Sequence, residues 1–278
     1  MDVKAADVKT LRDKTGVGMM DCRNALEKAG GDFAKAEKIL KELGLAAAQK
    51  RSGRATKEGK VFARLTGDKA ALLELLCETD FVARNADFQA IGSELVSIVL
   101  ATNPKVVTSQ MQDLVSGAIA KIKENMGIGR FEVMDAAANE LLVSYVHGDK
   151  LGVVVKLRLG TPALKENAKV KEAAMDCALH AAAFAPLALT QADVSPAYLK
   201  EQEEIFAVQA KNTGKPENVV LGIAKGKLKK HLQEICFVDQ LHVKQTKKSV
   251  AEVLREVGKE VGGEVALAAF RYYKLGAE

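Results

Sequence analysis

The chain has 278 residues, of which 48% are hydrophobic and 28% charged, and its 41 basic and 36 acidic residues give a net charge of +5. These values are typical of an ordinary globular protein that can bury the cores of two or three domains. So mild a positive excess does not by itself indicate nucleic-acid binding. The first residues form no apolar signal segment, and no stretch approaches the roughly 18 apolar residues of a membrane helix. We therefore expect a cytoplasmic protein without a membrane span.

The cysteines are spread singly along the chain, at Cys22, Cys77, Cys177 and Cys236. Because no two of them form a Cys-x-x-Cys pair, the sequence predicts neither a zinc site nor a disulfide framework. Each has apolar neighbours, which is typical of a small core residue in a reducing compartment. The histidines likewise show no metal-ligand spacing, so we expect no metal and no other cofactor.

Residues 1–45 carry three short helical patterns, at residues 5–14, 19–29 and 33–43. Gly44 is the expected C-cap of the third helix. The apolar residues that recur at helical spacing are Val8, Leu11, Leu26, Ala36, Ile39, Leu40 and Leu43. We predict a compact three-helix module over residues 1–45. The basic stretch 46–60 has no apolar period and is predicted to be a linker.

An internal repeat follows. VFARLTGDKAALLELL, residues 61–76, aligns with LVSYVHGDKLGVVVKL, residues 142–157, at an offset of 81. In each copy a Gly-Asp pair lies between two β-rich runs, which predicts a β-hairpin. The fold class predicted from this repeat is α+β, with a duplicated core and antiparallel sheets.

Helices and a further strand follow each predicted hairpin, in the same order in both copies. The first copy has helices 86–100 and 111–124, a glycine turn at 127–129 and a strand at 130–134; the second has helices 165–183 and 250–261, a Gly-Gly turn and a strand at 264–273. Unit 1 of the core is predicted to span residues 61–139, and unit 2 to span residues 140–186 and 233–278.

The second copy contains an additional segment, residues 187–232. Ser195 followed by Pro196 predicts an N-cap and a first helical position. A charged helix runs to Asn212, a turn follows at residues 213–216, and a second helix runs back, which predicts an antiparallel helical hairpin. Two interpretations remain open: a stabilising decoration, or an interaction arm, for which self-association is one candidate role.

The stretch CETDFVARN, residues 77–85, follows a predicted strand and places an acid beside a large aromatic residue. In one interpretation Thr79 or Asp80 caps the next helix and Phe81 folds back onto the core as a staple. In the other, Asp80 and Phe81 form an exposed wedge that recognises a partner. The second copy has Gly-Thr-Pro at the aligned positions 160–162, so the strand can end without an acid–aromatic pair. That difference favours the wedge and leaves the staple open.

No enzyme signature is present. The Gly-x-Gly at residues 16–18 lacks the third glycine and the preceding strand of a dinucleotide fingerprint, and no P-loop occurs. No Ser-His-Asp or Cys-His relation can be argued either, so we do not expect an enzyme. His180 lies in an Ala-rich helical segment and is predicted to be a hydrogen-bonded packing residue. His147 lies beside a hairpin turn and is predicted to be exposed.

Two stretches carry a family resemblance: LRDKTGVGMMDCRNALEKAGGDFAKAEKIL, residues 11–40, and CETDFVARNADF, residues 77–88. They resemble the signature stretches of bacterial and organellar translation elongation factor Ts. The resemblance extends over essentially the whole chain, including YVHGDKLGVVV, residues 145–155, and KSVAEVLREVG, residues 248–258. It implies a guanine nucleotide exchange factor of elongation factor Tu. It also implies an N-terminal module similar to a ubiquitin-associated fold, a duplicated α+β core and an antiparallel coiled-coil hairpin.

The resemblance also implies which residues contact the partner. The family's wedge, which presses between helices of the GTPase domain near its magnesium site, is matched here by Thr79, Asp80, Phe81 and Val82. Other contact positions of the family are matched by Leu11, Met19, Met20, Ile122 and His147. The chain departs from the family at Ile122-Lys123, where the family has Ile-Gly, and in its short C-terminal tail.

Two competing functions remain at this point. The basic residues of the predicted linker are compatible with RNA binding, although we expect no direct contact with nucleic acid. A pure scaffold that binds ubiquitin-like partners through the three-helix module is the other alternative. Neither alternative predicts an effect on nucleotide release by a GTPase.

Overall fold

The computed structural model describes residues 3–212, 214 and 216–277. The α-helices of this part of the chain are α1 (Ala5–Thr15), α2 (Met19–Lys28), α3 (Phe33–Arg51), α4 (Asp80–Ala83), α5 (Ala86–Thr102), α6 (Ser109–Ile122), α7 (Ala168–Phe184), α8 (Pro196–Lys211), α9 (Glu217–Ile235) and α10 (Val250–Val261). The strands are β1 (Glu58–Thr66), β2 (Lys69–Cys77), β3 (Met126–Asp135), β4 (Glu140–His147), β5 (Leu151–Leu159) and β6 (Val265–Lys274). Short 3₁₀ segments lie at Pro162–Glu166 and Gln191–Asp193. The mixture of helices and antiparallel sheets confirms the predicted α+β class.

Helices α1 to α3 pack around a small core of their own. Its fully buried side chains are Leu11, Cys22, Ala25, Leu26 and Ala36. Asp32 caps α3, because its carboxylate accepts a hydrogen bond of 3.0 Å from the backbone N–H of Lys35. The three predicted helices are therefore present, each supplying apolar residues at helical spacing.

Helix α3 does not end at Gly44, as predicted, but continues to Arg51. The predicted linker 46–60 is consequently helix at its start and strand from Glu58 onward, with residues 52–57 between them. Gly44 instead allows α3 to approach α6, since a Cβ at position 44 would lie 3.1 Å from Cβ of Ala120. Alanines 46–48 favour the helical conformation and extend α3 beyond that contact.

Each core unit contains one three-stranded antiparallel sheet, in the order β1-β2-β3 and β4-β5-β6. The hairpin β1–β2 turns at Gly67-Asp68, and β4–β5 turns at residues 148–150, so both predicted hairpins are confirmed. Gly67 and Gly148 have φ of 57° and 56°, in the left-handed region that favours glycine. The glycine turn predicted at residues 127–129 is wrong, because these residues already belong to β3.

The two sheets face each other, and helices cover their outer faces. In β2, Ala71, Leu73 and Leu75 point toward α5 and α6, whereas Ala70 and Leu72 point toward the second sheet. This alternation follows from the two-residue period of a strand. The apolar residues between the sheets are Val61, Ala70, Leu72, Met134, Leu142, Val154 and Tyr273.

An ion pair with a buried carboxylate lies within this interface between the sheets. The buried carboxylate of Glu74 accepts hydrogen bonds from Nη2 and Nε of Arg130, at 2.7 and 3.1 Å. These bonds raise the pKa of the Arg130 guanidinium. The guanidinium carbon also lies 4.7 Å from the ring centre of Tyr273, and Nη2 donates to the carbonyl of Lys274 at 3.1 Å. Arg130 of the first sheet is therefore bonded to residues of both sheets.

Helices α8 and α9 form a hairpin inserted into unit 2. Ser195 caps α8 by accepting a 3.2 Å hydrogen bond from the N–H of Tyr198, and Pro196 is the first helical residue, as predicted. Tyr198 in turn places its hydroxyl 2.8 Å from Nε2 of His231 on α9. Among the described helices and strands, α8 packs extensively only on α9, and α9 only on α8. Thr213 and Lys215 of the predicted turn lie outside the described residues.

His180 is fully buried at the base of this hairpin, which confirms its predicted packing role. Its Nδ1 accepts a hydrogen bond of 3.1 Å from the N–H of Val243, so Nε2 carries the proton and donates to Oε1 of Gln240 at 2.9 Å. Burial lowers the pKa of His180 and of its neighbour His242.

The four cysteines are free and buried, as expected for core residues. Burial raises the pKa of Cys77 and of Cys177 to about 12. Within the described ranges, no helix combines the length and the apolarity that crossing a bilayer requires.

Candidate partner interface

The segment Thr79–Val82 lies where β2 leaves the core of unit 1. Strand β2 ends at Cys77, and the one-turn helix α4 begins at Asp80. Of the two candidate caps, Thr79 performs this role, because its Oγ1 accepts a 3.3 Å hydrogen bond from the N–H of Val82. The cap turns the chain through α4 and thereby determines which side chains point outward.

Phe81 is 80% exposed, so the staple interpretation is wrong. Its neighbours Val82 and Ala83 are buried in the core of unit 1 and anchor the segment there. An aromatic side chain with this exposure, next to two anchored residues, is a feature expected of a binding surface rather than of core packing. Burial of Val82 means that it supports the segment from behind instead of presenting its own side chain.

Asp80 is ion-paired within its own helix. Its Oδ2 lies 3.0 Å from Nη2 of Arg84, at the i, i+4 spacing, and the two side chains are 43% and 77% exposed. A solvent-exposed pair of this kind contributes only about 0.3–0.5 kcal/mol. The carboxylate of Asp80 therefore remains accessible to a partner that offers a better cation or donor.

A residue that sequence reasoning missed holds the start of this segment. Glu124 accepts two hydrogen bonds from Thr79, one from Oγ1 at 2.8 Å and one from the backbone N–H at 3.1 Å. Glu124 lies in the turn between α6 and β3, and the pairing of Met126 with Cys77 brings that turn beside Thr79. No local spacing in the sequence indicates this contact, because it depends on the pairing of two distant strands.

The predicted contact residues Met19 and Met20 open helix α2 and are 43% and 64% exposed. Leu11 is fully buried in the three-helix module, so in the unbound protein its side chain is not part of the exposed surface. The next residue of α2, Asp21, lies 2.8 Å from Nζ of Lys123. This ion pair joins the methionine-bearing end of α2 to the same turn that holds Thr79.

Ile122 and His147 occupy different environments. Ile122 is the last residue of α6 and is half-buried against the core of unit 1. His147 ends β4 and is exposed, as predicted, with Nδ1 2.9 Å from the hydroxyl of Tyr145.

The turn after His147 reaches the first sheet. Lys150 Nζ lies 2.6 Å from Glu58 Oε2, and Glu58 pairs with Cys77 across β1 and β2. His147 therefore lies at the same end of the two sheets as the segment that begins at Thr79.

The structure thus places three exposed groups of predicted contact residues at one end of the molecule: Phe81 with Asp80, the two methionines of α2, and His147. These groups offer apolar surface and single charges. Among the described residues, no cluster of three His, Cys, Asp or Glu side chains could hold a metal ion. The arrangement is suited to docking on another protein.

Comparison with known proteins shows the family of the chain. The family model described as "Elongation factor TS" matches residues 78–277. The chain is 47% identical over 277 residues to elongation factor Ts of Treponema denticola, with 99% of each chain covered. It is 43% identical over 278 residues to elongation factor Ts of Borrelia hermsii, with 99% of this chain and 100% of that protein covered. The chain therefore belongs to the elongation factor Ts family.

Proposed function

We propose that this protein is a guanine nucleotide exchange factor that promotes GDP release from elongation factor Tu during translation elongation. Membership of the elongation factor Ts family supports the partner and the process. The observation that supports the mechanism is Phe81, an aromatic residue that is 80% exposed on a capped and anchored turn. Elongation takes place in the cytoplasm, which is where we expect the protein to act.

The mechanism follows from thermodynamic linkage. GTPases of the Tu type hold GDP through a phosphate cradle and a Mg²⁺ ion with strict coordination geometry. A protein that binds best when these groups are displaced weakens nucleotide binding by the same free energy by which nucleotide weakens its own binding. The exchange factor itself makes and breaks no covalent bond.

Phe81 and Asp80 have different roles in the proposed wedge. The phenyl ring supplies a desolvated anchor, which in protein interfaces contributes about 2 kcal/mol or more. The carboxylate of Asp80 exchanges its weak pairing with Arg84 for donors or metal-bound water near the nucleotide. Both side chains are available without a rearrangement of the core.

Two further contacts complete the proposed interface. Met19 and Met20 offer an adaptable apolar patch on the N-terminal module, which we propose has a ubiquitin-associated-like fold. His147 offers an exposed polar contact from unit 2. Because all three groups lie at one end of the molecule, one partner can meet them together.

The inserted hairpin has a separate proposed role. Val208 and Leu221 on α8 and α9 are 60% and 59% exposed, which favours self-association through a coiled-coil-like pairing. Val208→Glu is expected to lower the average molecular mass that sedimentation equilibrium measures at a given protein concentration. Met175→Glu, at an exposed methionine of α7, serves as the control. Equal masses for wild type and both variants at all concentrations would remove this role.

The deciding experiment measures release of a fluorescent GDP analogue from elongation factor Tu. We expect the protein to accelerate release in proportion to its concentration and then to saturate. A scaffold or an RNA-binding protein would leave the release rate unchanged. A release rate that stays at the spontaneous value at saturating protein would therefore reject the proposed exchange activity.

A further inference from the structure

Three consecutive residues between α6 and β3, Lys123–Asn125, contact three separate segments of the molecule. Lys123 pairs with Asp21 of α2 at 2.8 Å. Asn125 donates from its backbone N–H to Oε1 of Glu78 at 2.6 Å and from its side-chain amide to the carbonyl of Arg54 at 2.7 Å. Glu124, between them, bonds Thr79. This 123–125 loop therefore connects the N-terminal module, the residues that precede β1 and the segment that carries Phe81.

Glu124 directs both of its carboxylate oxygens to the same residue. Oε1 accepts from the hydroxyl of Thr79 at 2.8 Å, and Oε2 accepts from its backbone N–H at 3.1 Å. Because the hydroxyl proton is donated to Glu124, the lone pairs of Oγ1 face the N–H of Val82, which lies 3.3 Å away. The carboxylate thus fixes the orientation of the capping hydroxyl, through hydrogen bonds of the stronger, charge-assisted kind.

Helix α4 depends on this capping more than a longer helix would. It spans Asp80–Ala83, a single turn, and one helical turn is not stable on its own. Its placement must come from its attachments to the rest of unit 1, which are the cap at Thr79 and the buried side chains of Val82 and Ala83. Phe81 lies between these attachments and its side chain is 80% exposed, so the direction of the ring follows from theirs.

We infer that Glu124 is a positioning residue for Phe81, acting through Thr79, and that it orders the Phe81 segment before the partner binds. This inference rests on the proposed exchange function. Its physical basis is preorganisation, because a segment that is already ordered loses less conformational entropy when it binds. If only a fraction of the molecules holds the segment in its binding conformation, the apparent affinity for the partner falls in proportion to that fraction.

The first test uses nucleotide release from elongation factor Tu at subsaturating factor. Glu124→Ala is expected to lower the accelerated rate about tenfold, the factor that corresponds to roughly 1.4 kcal/mol and to the loss of hydrogen bonds to a charged group. Glu124→Gln keeps one acceptor and should lie between Ala and wild type. The matched control is Glu140→Ala, which should leave the rate unchanged. Glu140 also bonds a backbone N–H and a second residue, but it lies at the first residue of β4, at the opposite end of that strand from His147. A Glu124→Ala protein as active as wild type overturns the inference.

A double-mutant cycle separates positioning from general stability. If Glu124 acts only through Phe81, Glu124→Ala should change the rate less than about twofold in a Phe81→Ala background, since coupled residues are not additive. A merely structural role would lower the rate by the same factor in both backgrounds. Equal factors would therefore reject positioning even if the single variant is impaired.

A second measurement does not depend on exchange activity. Amide hydrogen exchange of Val82 in the free protein reports whether the Thr79 cap is held, and it should accelerate about tenfold in Glu124→Ala while the β2 amides keep their protection. Unchanged protection of Val82 overturns the inference. If the wild type fails to accelerate GDP release, the proposed function is rejected on its own, and the Val82 amide still decides whether Glu124 orders this segment.

Discussion

Phe81 and Phe88 belong to the same unit but lie in opposite environments, one 80% exposed and the other fully buried against Phe62 and the core. Phe81→Ala should lower the rate of accelerated GDP release about 30-fold, as expected for loss of an anchor worth roughly 2 kcal/mol, and should leave the melting temperature unchanged. Phe88→Ala is the matched control and should destabilise the fold by about 3–5 kcal/mol. If Phe81→Ala instead has a much lower melting temperature and a normal GDP-release rate, Phe81 has a structural role.

Asp80 tests the electrostatic part of the proposed mechanism. Thr79, not Asp80, caps α4, so Asp80→Asn should leave the thermal stability of the protein nearly unchanged. If the carboxylate acts by its charge near the phosphate and Mg²⁺ site, the variant should lose several-fold in exchange rate. That loss should be smaller than for Phe81→Ala and larger at low salt, where charges are least screened. The measurement is the GDP-release rate against Mg²⁺ concentration, and a variant equal to wild type at every concentration would leave the phenyl ring as the acting group.

At the scale of elements, the contact between α3 and α6 determines how the N-terminal module is held. A Cβ at Gly44 would lie 3.1 Å from Cβ of Ala120 and 3.4 Å from the carbonyl of Ser116, so Gly44→Val should push the two helices apart, with an overpacking cost of about 1–3 kcal/mol. Because Met19 and Met20 move with the module, exchange activity should fall while β2 keeps its amide protection.

Gly117 offers the matched control for this prediction. It also lies in a helix, α6, but a Cβ at that position would meet nothing within 4 Å. Gly117→Val should therefore leave both the docking of α3 and the exchange rate at wild-type values. Equal behaviour of the Gly44 and Gly117 variants would show that the α3–α6 contact is not required for activity.

The base of the inserted hairpin is expected to respond to pH. His180 and His242 have pKa values below their ordinary values because they are buried. Asp176 and Lys244, which form an ion pair, act on His242 in opposite directions, Asp176 raising its pKa and Lys244 lowering it. A lowered folded-state pKa means that the unfolded chain takes up protons first as the pH falls. Stability contributed by these groups is thus complete above the ordinary histidine pKa of about 6.5 and is lost as the pH falls below it.

The readout is the amide of Val243, which donates to Nδ1 of His180 at 3.1 Å and loses this acceptor when the ring is protonated. Its hydrogen exchange, corrected for the intrinsic pH dependence, should accelerate only as the pH falls below the ordinary histidine pKa of about 6.5, because burial lowers the pKa of His180 in the folded protein. The amide of Phe237, bonded to the carbonyl of Ala188 at 2.9 Å, is the control. Parallel behaviour of the two amides would contradict a local protonation effect.

Most helices and strands could be predicted from the spacing of apolar residues and from the turn and cap residues at their ends, because these signals are local. The Gly-Asp hairpins and the Ser195-Pro196 helix start are examples, since turn and cap chemistry is carried by adjacent residues. The prediction failed at Gly44 and at residues 127–129, where glycine serves the close approach of α3 to α6 and the pairing of β3. A single sequence does not distinguish a glycine that ends an element from one that allows another element to approach.

The candidate site was predictable only in part, for the same reason. Phe81 was singled out by its position after a strand, but its exposure depends on which neighbours fill the core, and these are Val82 and Ala83. The family resemblance implies a contact at Leu11, whose side chain is fully buried. Glu124 carries no local signal, because strand pairing between Cys77 and Met126 brings it to Thr79.

At the scale of the whole molecule, the two sheets must keep a fixed orientation, because Phe81 belongs to unit 1 and His147 to unit 2. The apolar interface between the sheets provides most of the attraction but little direction, since the hydrophobic effect is non-directional. Arg130 supplies directed contacts: it bonds Glu74 in its own sheet, stacks on Tyr273 and donates to the carbonyl of Lys274 in the other.

This arrangement makes a prediction about a buried charge. Arg130→Met should cost about 3–5 kcal/mol, because it leaves the carboxylate of Glu74 buried and unpaired, and this should lower the melting temperature by roughly 10 °C. The double variant Glu74→Met, Arg130→Met removes both charges and should recover part of that loss, because apolar residues can replace such a pair at little cost. Recovery is incomplete because the backbone N–H of residue 130 loses the Glu74 oxygen to which it donates at 3.2 Å. Thermal unfolding of the wild type, the single variant and the double variant measures these differences in stability.

If the ion pair also sets the orientation of the two units, the double variant will be stable yet slower in GDP release, because His147 and Phe81 no longer meet the partner together. A double variant as unstable as the single one would show instead that the pairing of charges is not what stabilises this site, and that the contacts of Arg130 with Tyr273 and Lys274 or the bond of its backbone N–H to Glu74 are.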